Sequence, residues 1–281
     1  MRSVGILFNA KIGRAEGLAQ ELVREAEKSG VSAWLCPALD EAQSREYLNG
    51  TDMVMSLGGD GTMLRAARLT APQGIPVLGI NLGNWGFTTE LEGEQALSAI
   101  PEFLAGKGWI DERVMLQVEL PSRLNVPALH ALNDVVVARG ASIHVVHVRV
   151  LVDGEPVAAC SGDGVIVATA TGSTAYSLAA GGPVFLPDAG EFVLTPVAPY
   201  AGLRRSLVLT GESDIELEVH TTREARASVD GQTEFDLRDG DKVKVGQSPY
   251  ITRLLRLQPR SSYYNMLLEK LSGKDRAWNE G

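Results

Sequence analysis

Two cysteines in 281 residues, Cys36 and Cys160, are too few for a disulfide framework and lack the spacing of metal ligands. Both sit in apolar surroundings, which predicts buried free thiols in a reducing compartment. No apolar run approaches the ~20 residues that a membrane-spanning helix needs. The opening MRSVGILFNAKIGR turns polar too early for a secretory leader, so a cytoplasmic location is expected. Basic charge is also scarce. Lys and Arg number 26 against 35 Asp and Glu, a net charge of −9, which argues against nucleic acid or a membrane surface as partner, since both call for a basic face. A polyanionic small ligand fits only where a few placed cations or a magnesium ion supply local positive charge. The P-loop pattern G-x-x-x-x-G-K-[ST] is absent, and no G-x-G-x-x-G follows a predicted strand. The G-x-S-x-G elbow is missing as well, and His130, His144, His147 and His220 show no pairing that would activate Ser173 or Ser177, which argues against a serine hydrolase.

What is present is an ordinary globular composition, 44% hydrophobic and 22% charged. Over the first hundred residues strand-like and helix-like segments alternate. VGILFNA, VSAWLC, DMVMSL and IPVLGIN read as strands; AEGLAQELVREAEKSG, closed by Gly30, and GEQALSAIPEFLAGK read as helices. This alternation predicts a parallel sheet covered on both faces, a Rossmann-like α/β domain over residues 1–105. From about residue 110 the segments are β-rich and separated by turn residues, predicting a sandwich-like domain over 106–257. The tail SSYYNMLLEKLSG returns to helical spacing, and 258–281 is expected to pack back on the first domain.

The first candidate site is GGDGT, at the exit of the strand DMVMSL. Gly58, Gly59, Asp60 and Gly61 form a turn in which glycines provide positive φ angles and close approach to the backbone, with Thr62 as N-cap of the next helix. The free amides of such a helix attract phosphate. A carboxylate there repels phosphate unless it holds a metal or takes a proton; the plainer reading makes Asp60 a local cap. The second is INLGNWGF at the next strand exit, where Phe87 either stacks on a base or joins Trp85 in the core. The third is LNDVVV, where Asn133 suits an adenine edge and Asp134 a ribose hydroxyl, or the pair simply precedes a strand. The fourth, SGDGVIVATATGSTAYSLAAGGP, gathers small hydroxyls and free amides suited to sugars and phosphates. In the fifth, ASVDGQ, Asp230-Gly231 reads as a hairpin turn, after which Gln232 could point to a ligand.

Taken together and in this order, GGDGT, NLGNWGF, NDVVV, DGVIVATATGSTAYSLAAGGP and VDGQ resemble the motifs of the NAD kinase family, over nearly the whole chain. GGDGT alone is shared with lipid kinases and, in variant form, with phosphofructokinases; the long TGSTAYSLAAGGP segment is more specific. The resemblance implies an α/β domain joined to a β-rich domain, and transfer of the terminal phosphate of ATP, or of polyphosphate, to the 2′-hydroxyl of the adenosine ribose of NAD, with Mg²⁺ or another divalent ion. The alternatives are a dinucleotide-binding protein without catalysis, or another kinase of the GGDGT class acting on a lipid or sugar phosphate.

Carried over motif by motif, the resemblance makes Asp60 the base that takes the hydroxyl proton, with Gly58, Gly59, Gly61 and Thr62 at the phosphate donor, and Asp60 and Gly61 also in contact with NAD. Asn133 and Asp134 would hold the adenine or ribose, with Phe87 near the adenine, and Asp163 would hold the nicotinamide half. Thr174, Ala175, Tyr176, Ser177, Leu178 and Ala179 would line the dinucleotide, and Ala198 and Gln232 would complete the pocket. His144 and Ser161 occupy binding positions where many bacterial members carry a basic residue. Asp134 stands where Glu is common, Ala170 replaces a frequent proline and Trp85 a frequent leucine. A homodimer or homotetramer is implied, along with a metal held mainly by the ATP phosphates.

Overall fold

The computed structural model describes residues 1–83, 86–141 and 144–271; Trp85 and the end of the C-terminal segment lie outside the described residues. It divides into two compact units, Met1–Glu112 with Thr252–Gly281, and Arg113–Ile251.

The first unit contains, in chain order, β1 (Ser3–Phe8), α1 (Ala15–Lys28), β2 (Ser32–Pro37), α2 (Glu41–Tyr47), β3 (Met53–Gly58), α3 (Asp60–Thr70), β4 (Val77–Asn81), β5 (Leu91–Glu92) and α4 (Gly93–Leu104). Parallel pairing gives the spatial order β2-β1-β3-β4. The strands are apolar throughout because both faces are covered. Val4, Ile6, Phe8, Met55 and Leu57 pack with Ala19 and Leu22 of α1 and with Ile100 and Phe103 of α4. Leu7 and Val54 face the other way, onto Met63, Ala66 and Leu69 of α3. Gly30, at φ +75, ends α1 as its place in the sequence predicts. The sheet order reverses direction between β1 and β3, the kind of switch point beyond which α/β sheets bind ligands. GGDGT lies at the carboxyl end of β3.

Two long strands contribute residues to both units: β6 (Trp109–Glu119) and, near the end of the chain, Lys242–Arg256. Between them lie β7 (Leu129–Ala131), β8 (Asp134–Arg139), β9 (Val146–Val152), β10 (Glu155–Gly162), β11 (Gly164–Ala168), α5 (Tyr176–Ala179), β12 (Phe192–Val197), β13 (Ala201–Gly202), β14 (Leu207–Leu209), β15 (Ile215–His220), β16 (Ala225–Val229) and β17 (Thr233–Leu237), so that Lys242–Arg256 is β18. Antiparallel pairing runs β13-β10-β9-β15-β18 in one sheet and β14-β12-β11-β8-β16-β17 in the other. The period-2 alternation is clear in β9, where Val146, Val148 and Val150 are buried while His147 and Arg149 are exposed. Those valines meet Val135, Val137, Val165, Val167 and Phe192 from the second sheet in one core, which makes a sandwich. The C-terminal helix α6 (Ser262–Leu271) follows β18 and belongs with the first unit. Both cysteines are free and buried. Among the described residues no helix is long and apolar enough to cross a membrane.

Candidate active site

The glycine turn differs from its sequence reading in two ways. The N-cap of α3 is Gly59 (φ −112, ψ −167), not Thr62, which lies inside the first turn and is 5% exposed. Nor is any of Gly58, Gly59 and Gly61 among the positive-φ glycines. The chain passes from β3 into α3 through one extended residue, so no left-handed backbone is required. What these glycines supply is space. A Cβ on Gly58 would lie 2.2 Å from the Thr62 hydroxyl, whereas a Cβ on Gly59 or Gly61 would meet nothing within 4 Å. The backbone at positions 59 and 61 is therefore open for another molecule to approach, at the positive end of a helix dipole.

Asp60 is the first residue of α3 and is half-buried. Three donors from one segment fix its carboxylate. The Phe87 amide donates to Oδ2 at 3.1 Å; the Thr88 amide and the Thr88 hydroxyl both donate to Oδ1, at 3.1 and 2.5 Å. The segment comes this close because residue 86 is glycine: a Cβ there would lie 2.2 Å from Asp60 Oδ1. The Phe87 ring, expected near the adenine, is half-buried. A buried cation holds the next residues. Arg256 donates to the carbonyls of Thr88 and Thr89 at 3.0 and 3.2 Å and pairs with Asp111 and Glu90. Glu90 in turn accepts the amides of Leu257 and Gln258.

In the second unit the NDVVV, TATG and VDGQ motifs converge. The Asp230 carboxylate accepts the amides of Leu132, Asn133 and Asp134 at 2.9, 2.8 and 3.2 Å, and the Asp230 amide returns a bond to the Asp134 carbonyl. Asp230 and Gly231 both have positive φ, 52° and 63°, as the predicted tight hairpin between β16 and β17 requires. Thr169 donates its hydroxyl to the Leu132 carbonyl and its amide to the Asn133 carbonyl. Gly172 is obligatory there, because a Cβ would lie 2.0 Å from the Asn133 carbonyl oxygen. Beneath this loop the buried Arg113 donates to the Thr171 hydroxyl at 3.2 Å.

This cradle presents Asn133, half-buried, whose Oδ1 is buried with no hydrogen-bond partner among the described residues. A buried amide oxygen left without a donor is costly unless a ligand supplies one. Beside it Asp134 is 5% exposed, and its pKa is pushed up to about 7 by burial and by the neighbouring Asp230 charge.

The remaining candidates are spread more widely. Thr174 closes a short 3-10 turn, donating its hydroxyl to the Thr171 carbonyl, and Ala175 leads into α5. Along α5, Tyr176 is 46% exposed, Leu178 is half-buried and Ala179 is exposed. Ser177 is fully buried and bonded to Thr195, so its side chain seats the helix instead of lining a surface. Asp163 pairs with Arg139 at 2.7 Å. Ala198 is exposed at φ +43, an uncommon backbone for alanine. Gln232 follows the hairpin turn, its amide bonded to the Val229 carbonyl. Ser161 lies on β10 in the other sheet, its hydroxyl 2.7 Å from His147 Nδ1, and His144 is exposed just before β9.

Sequence reasoning missed the work of Gly86, Thr88, Arg256 and Asp230. Asp230 was legible only as a turn residue, and the two threonines of GFTTE carry no signal that separates them.

Comparison with known proteins places this geometry. The model described as ATP-NAD kinase N-terminal domain matches residues 4–108, and that described as ATP-NAD kinase C-terminal domain matches 132–257. The NAD kinase of Dehalococcoides mccartyi strain CBDB1 is 38% identical over 276 residues, covering 98% of this chain and 97% of that protein. The NAD kinase of Symbiobacterium thermophilum is 39% identical over 283 residues, covering 97% and 100%. Among solved structures, yeast NADH kinase complexed with NADH superposes with a TM-score of 0.85 at 25% identity, covering 100% of this chain and 89% of that one. An NAD kinase from Archaeoglobus fulgidus in complex with ATP gives 0.79 at 25% identity, covering 94% and 97%. With both halves of the chain matched and relatives similar along almost their entire length, the chain belongs to the NAD kinase family of phosphotransferases.

Proposed function

We propose that this kinase moves the terminal phosphate of ATP onto the 2′-hydroxyl of the adenosine ribose of NAD, with Asp60 as the base. The 2′-oxygen attacks the γ-phosphorus, the bond from that phosphorus to the bridging oxygen of ADP breaks, and the hydroxyl proton passes to the Asp60 carboxylate. A secondary hydroxyl is a weak nucleophile at neutral pH, and a positioned carboxylate contributes ~10²–10⁴-fold to such a step. The observation that carries this reading is the Asp60 carboxylate itself. Three donors fix it at the start of α3, one residue from glycines whose outer side is open.

The donor half of the reaction belongs to Gly58, Gly59, Gly61 and Thr62. Open backbone at Gly59 and Gly61 and the positive end of α3 suit the phosphates of ATP. Among the described residues no group of three or more His, Cys, Asp or Glu side chains lies together to hold a metal ion. The divalent ion of this reading arrives on ATP as part of the substrate, where it neutralises charge on the transferred phosphate.

The acceptor half is Asn133 and Asp134, one offering a buried unpartnered oxygen and the other a carboxyl group able to donate or accept near neutral pH. Phe87, Asp163, Thr174 to Ala179, Ala198 and Gln232 complete NAD binding in the roles their motifs imply. His144 and Ser161, standing where many bacterial members carry a basic residue, bear on how tightly a substrate phosphate is held. A homo-oligomer in solution belongs to the same reading and is checked by light scattering, with a monomer at micromolar concentration as the contrary result.

The test is a coupled assay. The protein is mixed with NAD, ATP and Mg²⁺, and NADP is detected with a strictly NADP-dependent dehydrogenase, with polyphosphate and NADH as alternative substrates. NADP formation that requires ATP and is lost in Asp60→Asn supports donor, acceptor and base together. NAD binding without NADP from either donor would leave a dinucleotide-binding protein.

A further inference from the structure

Starting α3 at residue 60 fixes the Cα of Asp60 but not its carboxylate, which turns about two side-chain bonds. The segment 86–88 removes that freedom, and it does so unevenly. A carboxylate oxygen offers two lone-pair sites. Among the described residues, Oδ1 has both filled, by the Thr88 amide and the Thr88 hydroxyl, whereas Oδ2 receives the Phe87 amide alone. Among these residues one acceptor site on Oδ2 is thus left for a ligand. We infer that Thr88 is a positioning residue for Asp60, and that its hydroxyl aims the carboxylate so that Oδ2 receives the 2′-hydroxyl proton; this rests on Asp60 being the base.

Several features mark Thr88 as built for this. Its hydroxyl makes the shortest of the three contacts, 2.5 Å. The residue is 4% exposed, so bulk water cannot take over when the hydroxyl is removed. Its own carbonyl is pinned by the buried Arg256, itself held by Asp111 and Glu90. The neighbouring Thr89 provides an internal contrast. It is just as buried, but its hydroxyl has no hydrogen-bond partner among the described residues. Of two consecutive threonines, one hydroxyl serves the carboxylate and the other has no partner among the described residues.

The test compares Thr88→Ser with Thr88→Ala. Both lose the γ-methyl group, so they differ only in the hydroxyl. Misplacing a reacting group by about 1 Å costs up to ~10²-fold. The expected result is therefore a kcat about 10- to 100-fold lower in Thr88→Ala, with KM for NAD and ATP within about threefold of wild type, and Thr88→Ser close to wild type in both. Thr88→Val, which keeps the volume, carries the same expectation if the alanine variant is unstable. Thr89→Val is expected to keep its kcat and its melting temperature. A Thr88→Ala kcat equal to that of Thr88→Ser overturns the inference, as does a loss confined to KM. Asp60→Asn is assayed in parallel. If it is inactive while Thr88→Ala is fully active, only the positioning role fails. If Asp60→Asn itself turns over normally, the base reading fails and the inference with it.

Discussion

Asp60 in the first unit and Asp134 in the second are both aspartates at the start of a regular element, and they are held in opposite ways. Asp60 opens a helix, stays half-exposed and is gripped from one side by three donors on a loop. Asp134 opens a strand, is 5% exposed and lies beside another carboxylate, Asp230, which draws its own three amide donors from the same loop that carries Asp134. The donors that could have stabilised a charge on Asp134 go to its neighbour instead. The first arrangement aims an acceptor. The second keeps a carboxyl group balanced between its charged and neutral forms, suited to holding a hydroxyl. Residue type alone does not set the role of a carboxylate; the placement of nearby amides does.

The sharpest way to break this comparison is to remove the aimed acceptor. Asp60→Asn keeps the shape and the Thr88 contacts but cannot take a proton. Turnover is expected to fall ~10²–10⁴-fold in the coupled assay with NAD affinity, measured by calorimetry, largely kept. Equal losses of turnover and affinity would instead make Asp60 a binding residue. Gly86→Ala tests the same grip from the other side. Its Cβ would sit 2.2 Å from Asp60 Oδ1, so the loop or the carboxylate must shift, and a loss of kcat of up to ~10²-fold is expected. Gly59→Ala is the contrast. Its Cβ meets nothing within 4 Å in the protein, so the fold should tolerate it and the change should appear as a raised KM for ATP.

In the second unit the equivalent break is Asp230→Ala. It strips the acceptor from the amides of Leu132, Asn133 and Asp134, and unsatisfied buried donors cost ~1–3 kcal/mol each. With partial compensation by water, a loss of about 2–4 kcal/mol is expected, a fall in melting temperature of ~5–15 °C. NAD affinity should fall as well, since Asn133 and Asp134 are no longer held. An unchanged melting temperature would mean that the cradle is braced mainly by Thr169 and Gly172.

Much of this arrangement was legible in the sequence because it is carried by local chemistry. Apolar strands alternating with amphipathic helices give a doubly wound sheet, and period-2 strands such as HVVHVRVLV give a sandwich. The VDG turn announces positive φ at two positions, and the structure has it. The glycines of GGDGT read as marking open and left-handed backbone; the structure has open space at Gly59 and Gly61 but not at Gly58, and a single extended residue completes the turn with no left-handed backbone. Contacts between segments distant in sequence were not legible. Asp230 reaches back almost a hundred residues to the NDV loop, and Arg256 reaches 168 residues to the carbonyl of Thr88. No periodicity or turn signal encodes such pairings. They arise only when the sheets bring strand ends together.

The smallest predicted effect tests why Asp134 differs from Asp60, through pH. In the unfolded chain Asp134 titrates near 3.8, and in the folded protein near 7. Between those values the native state keeps a proton that the unfolded state has released. Native stability from this group is therefore fullest below about pH 4 and is progressively lost as pH rises to about 7. Asp134→Asn cannot titrate and removes that slope. Its melting temperature relative to wild type should rise across the window by ~5 °C, then level off above it. NAD acts on the same equilibrium. If a ribose hydroxyl donates to the ionised carboxylate, wild-type affinity for NAD should increase as pH passes through 7, while the Asn variant binds more weakly and without that dependence. A stability difference that stays flat across the window would mean that neither burial nor the Asp230 charge raises the Asp134 carboxyl, and that the two carboxylates are less different than their surroundings make them.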